Sequence, residues 1–99
     1  MKLDSAAACL EALGSPHRLS IYRLLVQSGT KGMTVGDVKS QLDMPSSTLS
    51  HHISKLVNKG LISQERDSRN LICCCNYERM NELLTYLSDN CCLGDNDCE

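Results

Sequence analysis

Seven cysteines fall in four places along the 99 residues: Cys9, Cys73-Cys74-Cys75, Cys91-Cys92 and Cys98. Thiolates are soft ligands that select thiophilic ions, and they are also nucleophiles and redox groups. An odd, clustered count does not read as a secreted disulfide framework. In a reducing compartment such clusters more often bind metal or respond to redox state. Three of the thiols sit in the last ten residues, NCCLGDNDCE. Neighbouring side chains diverge on a helix, so Cys91 and Cys92 can converge on one ion only where the backbone leaves the helix. Gly94 allows a left-handed turn, and Asn96 and Asp97 tolerate one. The LGDND segment between Cys92 and Cys98 can span up to ~20 Å or fold back tightly. An inert tail and a redox set are the competing readings of these residues.

The other cysteines carry less chemistry. Successive strand residues face opposite sides, so Cys73, Cys74 and Cys75 cannot all grip one ion. Cys73 and Cys75 share a face at ~6.6 Å, where buried cysteine packs as a small hydrophobe. Cys9, on a helix, reads the same way, with assistance to a partner's last helix as the alternative. Cys73 and Arg79 have the spacing of a thiol phosphatase loop between strand and helix. That chemistry needs a loop whose backbone amides cradle an oxyanion, normally glycine-rich. The segment CCCNYER has no glycine, serine or threonine, so no enzyme is expected.

A second set of groups belongs to residues 46–59. Ser46, Ser47, Thr48, Ser50, His51, Lys55 and Lys59 share the polar face of a helix, with His52 at its edge. Hydroxyls, imidazoles and ammoniums donate to phosphate oxygens and to base edges in a major groove. Hydroxyls at a helix start also sit at its positive end, which favours phosphate. Arg66 and Arg69 lie in a following hairpin loop, within reach of an adjacent groove or backbone. The plainer reading is a solvated helix face and a turn.

These residues need elements to hold them. Residues 5–13 are strong helix formers, with Ser5 as candidate N-cap and Gly14 as stop. Ser15 caps a second helix with Pro16 at its first position, ended by Gly29. Leu19, Tyr22, Leu25 and Val26 share its apolar face. TKGM reads as a loop. Thr34 caps a third helix, 34–42, with Asp37 in a variant capping box. After a short DMP turn, residues 46–60 form a capped helix with Leu49, Ile53, Leu56 and Val57 inward and Gly60 as stop. Two short helices separated by such a turn describe a helix-turn-helix. Residues 61–65 and 71–75 form a hairpin around a loop of about five residues, RDSRN. From Tyr77 to Cys92 a last helix carries Met80, Leu83, Leu84 and Leu87 as its stripe, ended by Gly94. The fold class is mainly α with a β-hairpin wing, a winged helix-turn-helix. Residues 1–92 are expected to form one domain that binds DNA and dimerises, and residues 93–99 a tail carrying part of the thiol set.

The totals are consistent with this. A chain of 99 residues without Phe or Trp buries a modest core of Leu, Ile, Val, Met and Cys, and a homodimer would add burial. Residues 1–70 carry nine Lys/Arg against six Asp/Glu, a balance of +3, and residues 71–99 one against six, a balance of −5. A mildly basic body therefore precedes an acidic end, and the whole-chain charge of −2 is a poor guide to partners. No signal sequence or membrane span is evident, so a cytoplasmic protein with no membrane partner is expected.

ALGSPHRLSIYRLL, then PSSTLSHHISKLVNKGLI, then ERDSRNLI resemble, in that order, the ArsR/SmtB family of metal-responsive repressors. The match runs through Ser50, His51, His52, Leu56, Gly60 and Leu61. It also includes Ala12, Leu13, Pro16, Arg18, Leu24 and Leu25, and it covers about residues 8–88. The resemblance implies a homodimer held by its first and last helices. That dimer would cover an inverted-repeat operator in double-stranded DNA and let go when a ligand binds, with no organic cofactor. One family variant places cysteines on the helix before the recognition helix, but TVGDVKSQL has none. Another uses Asp and His on the last helix for zinc, but residues 77–90 contain no His. An arsenite-responsive variant carries adjacent cysteines at the end of the last helix and a third six residues on. Cys91, Cys92 and Cys98 match that spacing and are the expected ligands for As(III) as inducer, with Sb(III) as a second candidate. Three thiolates without an imidazole suit a three-coordinate trivalent ion, whereas structural zinc takes four ligands. A thiol-redox regulator on the same scaffold is the alternative.

Overall fold

The computed structural model describes residues 1–94, and within them the chain forms five helices and three strands. They are α1 (Leu3–Leu13), α2 (Pro16–Ser28), β1 (Met33–Thr34), α3 (Val35–Leu42), α4 (Ser46–Asn58), β2 (Ile62–Asp67), β3 (Asn70–Cys75) and α5 (Tyr77–Ser88). The helix-turn-helix followed by a wing is as the sequence predicts. The core is built from Ile21 and Leu25 of α2, Val38 of α3, and Leu49, Ile53 and Leu56 of α4. Leu61 and Ile62 at the base of the wing, Cys73, Cys75 and Leu83 complete it with Cys9 and Tyr22. Cysteine and tyrosine thus fill the volume that Phe would otherwise take.

Local chemistry sets most boundaries. Ser15 Oγ accepts from the Arg18 backbone N–H at 3.4 Å, Pro16 opens α2, and Gly29 ends it at φ 76°. Thr34 Oγ1 accepts from the Asp37 N–H at 3.1 Å and starts α3. Asp43 turns the chain left-handed at φ 50°, a conformation Asp tolerates better than most residues. The first-helix cap differs from expectation. Lys2, not Ser5, is the N-cap, and no side chain caps the helix. Leu3 and Asp4 continue the helix backwards, and an acid in the first turn suits its positive end. Pro45 likewise precedes α4 with no side-chain cap, so Ser46 is its first helical residue and not its cap.

The wing is more regular than expected. TKGM is not all loop: Met33 and Thr34 pair with Cys73 and Ile72, giving a sheet of order β1-β3-β2. Gly32 makes this pairing possible. Its φ is +70°, and a Cβ there would meet Cys73 O and Cys74 Sγ at 2.5 Å. The hairpin pairs through Arg66↔Leu71 and Asp67↔Asn70. The expected five-residue loop is therefore a tight turn at Ser68 and Arg69, with Ser68 at φ 60°. Arg66 stands on β2 and only Arg69 on the turn. Strand pairing gains hydrogen bonds for each residue added, so it runs on until turn geometry stops it.

Asn76 joins wing to helix. Its backbone N–H donates to Leu61 O at 3.0 Å and its Nδ2 to Gly60 O at 2.9 Å. Its Oδ1 accepts from the Arg79 N–H at 3.1 Å and caps α5. Tyr77 Oη donates to Val26 O at 2.8 Å and fastens α5 to α2. The expected inward faces need correction at three leucines. Leu19, Leu84 and Leu87 are 44%, 56% and 55% exposed, while Ile21 and Leu83 take the core positions.

Candidate nucleic-acid interface and thiol site

α4 is held by Leu49, Ile53 and Leu56 at i, i+4 and i+7, all at 3% exposure or less. That spacing leaves the opposite face in water. Ser46, Ser47, Thr48, Ser50, His51 and Lys55 are exposed on α4, and Arg66 and Arg69 are exposed on the wing. His52 is half-buried at the margin of this face. The turn before α4 is fixed from beneath by Met44, 8% exposed, whose N–H donates to Lys39 O at 3.4 Å.

The wing and α4 enclose a hollow of about 510 Å³. Ser50 and Ser54 of α4, Gln64 of β2, Arg69, Asn70 and the start of α3 at Thr34–Gly36 line it. Val35, Ile53 and Leu71 add apolar lining, so its surface is mixed, and it carries one guanidinium and receives the positive end of α3. Such a groove suits a phosphate strand. The structure therefore brings Arg69 and Ser50 together, but Arg66 does not line this hollow. Sequence reasoning missed Ser54, Gln64 and Asn70, because only the folding of the hairpin against α4 makes them neighbours.

A row of imidazoles also escaped the sequence reading. The ring of His17, in the first turn of α2, stacks on His52 with centroids 5.5 Å apart and planes at 28°. His51 lies 6.0 Å from His52. Burial, then Arg18, lowers the His52 pKa below the ordinary histidine value. Arg18 is fixed in turn, its Nε donating to Ala12 O at 2.6 Å at the end of α1.

The described thiols run from the core to the surface, with Cys74 partly exposed between them. Cys9, Cys73 and Cys75 are at 0%, 0% and 5% exposure in the core. Burial pushes the Cys73 and Cys75 thiols up, only partly opposed by Gln64 at Cys73 and Tyr22 at Cys75. A phosphatase nucleophile needs the reverse, an accessible thiolate of lowered pKa. Cys91 is exposed and Cys92 partly so. Helix α5 does not run to Cys92 as expected. It ends at Ser88, and Asn90 and Cys92 both adopt left-handed backbone at φ 61° and 66°. The Asp-Asn pair at 89 and 90 carries turn chemistry that ends a helix. The outcome is that the Sγ atoms of Cys91 and Cys92 lie 3.2 Å apart. Cys98, the third expected ligand, lies outside the described residues.

A helix-turn-helix domain family matches residues 13–65. The HTH-type transcriptional regulator YgaV of Escherichia coli is 29% identical over 89 residues, 90% of this chain and 88% of that protein. The nodulation protein NolR of Rhizobium meliloti is 33% identical over 86 residues, 87% and 68% of the two chains. Among solved structures, an ArsR family transcriptional regulator superposes with a TM-score of 0.76 at 21% identity, covering 91% of this chain and 90% of the other. A possible transcriptional regulator for arsenical resistance gives 0.70 at 24% identity, covering 81% and 80%. A homodimeric winged helix-turn-helix DNA-binding domain from Mycobacterium bovis gives 0.71 at 23% identity, covering 90% and 82%.

Proposed function

The chain belongs to the helix-turn-helix transcriptional regulators, with the winged fold of their ArsR-type members, and we propose that it is an arsenite-responsive repressor. A homodimer binds an inverted-repeat operator through α4 and the wing. As(III), or Sb(III), binds Cys91, Cys92 and Cys98 and releases the DNA. The protein works in the cytoplasm, where its operator is.

The observation that carries the ligand reading is the pair of sulfurs 3.2 Å apart just beyond α5. Two converging thiolates with a third six residues on are a soft, three-coordinate donor set. Described groups of three or more His, Cys, Asp or Glu that could hold a metal are absent, so the reading depends on Cys98 joining the pair. The dimer reading is supported by apolar surface on two elements. Leu3 and Leu10 of α1 are 68% and 44% exposed, and Leu84 and Leu87 of α5 are 56% and 55% exposed. These two helices pack on each other, and covering the exposed half of each such leucine is worth about 1 kcal/mol. The solved homodimeric relative favours the same state. Cys91 follows α5 by three residues, so a ligand that gathers the thiolates acts on an element of that interface. The interface in turn sets the spacing of the two copies of α4 on DNA. A coupling of about 1–3 kcal/mol is typical for such linkage.

A gel shift with a duplex selected from a randomised pool tests both halves. Arsenite should dissociate the wild-type complex. Cys91→Ser, Cys92→Ser and Cys98→Ser should stay bound, and release of the triple variant by arsenite rejects the tail site. The same close sulfurs favour a second reading, redox sensing. In that case peroxide without metalloid releases the DNA and arsenite does not.

A further inference from the structure

The three imidazoles have no role in the reading above beyond two candidate DNA donors. His17 lies outside the helix-turn-helix, yet its ring covers His52, and His52 leads to His51 on the exposed face of α4. The row therefore runs from the first turn of α2 onto the surface that faces DNA. Within it, His52 Nδ1 is buried and makes no hydrogen bond among the described residues.

We propose that operator binding takes up protons through the row His17–His52–His51, with His17 positioning His52 for DNA. The proposal rests on α4 being the DNA-facing helix. The charges acting on His52 are all of one sign: Arg18 and His17 from α2, His51 and Lys55 from α4. From α1, Glu11 borders a separate hollow with Lys55 and Lys59 and is not among the groups acting on His52. Burial opposes charge on His52 most, and no acid among the described groups acting on it offsets these cations. DNA phosphates supply the absent negative charge. The bound state therefore holds a proton on His52 more tightly than the free state does. By linkage, affinity rises as pH falls through the interval between the two states' pKa values. The ring of His17, stacked beside His52 with centroids 5.5 Å apart, positions it in this reading. Its removal loosens the ring and removes one member of the row.

The experiment is fluorescence anisotropy with a selected duplex at constant ionic strength, from about pH 7.5 to 6. For the wild type, Kd should fall about three- to tenfold per pH unit, since one proton taken up gives about tenfold per unit. His17→Gln should flatten this profile while retaining binding, and His17→Asn should do the same. Proton NMR of the His52 ring reports the site directly. Its titration should move to higher pH on adding duplex, and in the free protein His17→Gln should move it upward by removing a like charge. A flat wild-type profile, or a His17→Gln profile that superposes on the wild type, overturns the proposal while leaving DNA binding intact. No binding to any selected duplex at any pH overturns both this proposal and the repressor reading.

Discussion

At the scale of single residues, the six described cysteines range from core to solvent, with Cys74 and Cys92 between the extremes. Those at 9, 73 and 75 are desolvated in the core, while 91 meets water. Alkylation by iodoacetamide at pH 8 should modify Cys91 rapidly and leave Cys9, Cys73 and Cys75 unmodified until denaturant is added, as read by mass spectrometry. The raised thiols also give a pH signature. A folded-state pKa above the unfolded value contributes stability fully below the ordinary thiol pKa, about 8.5. That contribution is lost as pH climbs through the folded value. Urea midpoints should therefore decline above about pH 8.5, and Cys73→Ala should lessen the decline. Gly32 is equally specific. Its left-handed backbone and the 2.5 Å approach to Cys73 O leave no room for a methyl group. Gly32→Ala should cost about 1–3 kcal/mol, measured by urea unfolding.

At the scale of elements, α1 and α5 are amphipathic twice over. One side of each packs into the protomer through Cys9, Ala12 and Leu83, and another carries the exposed leucines. Leu84→Glu with Leu87→Glu should yield a folded monomer by sedimentation velocity, with operator affinity reduced by at least tenfold. A dimer that persists would place the interface elsewhere. Asn76 is the hinge pin between wing and α5, with a cap and two bonds back to residues 60 and 61. Asn76→Ala should cost about 1–3 kcal/mol, seen as a lowered melting temperature. Element types were legible in the sequence because caps and spacing are local: Ser15, Thr34 and Gly29 act where the sequence predicts. The ends of the wing were not legible. The strands lengthen to a two-residue turn because pairing with β3, not local propensity, decides where each strand stops.

At the scale of the whole molecule, a net charge of −2 coexists with a balance of +3 over residues 1–70. Binding should weaken steeply with salt. Arg69→Ala should lower the magnitude of the log K against log salt slope by about 1 per protomer. Arg66→Ala should lower it less, since Arg66 does not line the groove beside α4. An unchanged slope in Arg69→Ala would remove Arg69 from the interface, and an unchanged slope in both variants would remove the wing.

The sequence by itself determined the winged helix-turn-helix, the exposed polar face of α4 and the family. The first two depend on local caps and on apolar spacing that a chain carries wherever it folds, and the third rests on the resemblance of three motifs in order. The tertiary structure alone decided three things. Arg69 and Ser50 line one groove, His17 stacks on His52, and α5 stops at Ser88 so that the sulfurs of Cys91 and Cys92 converge. Two of these bring together residues distant in the chain, and the third is a backbone reversal within a few residues. None leaves a periodic trace in the sequence, because each depends on where packed elements come to rest.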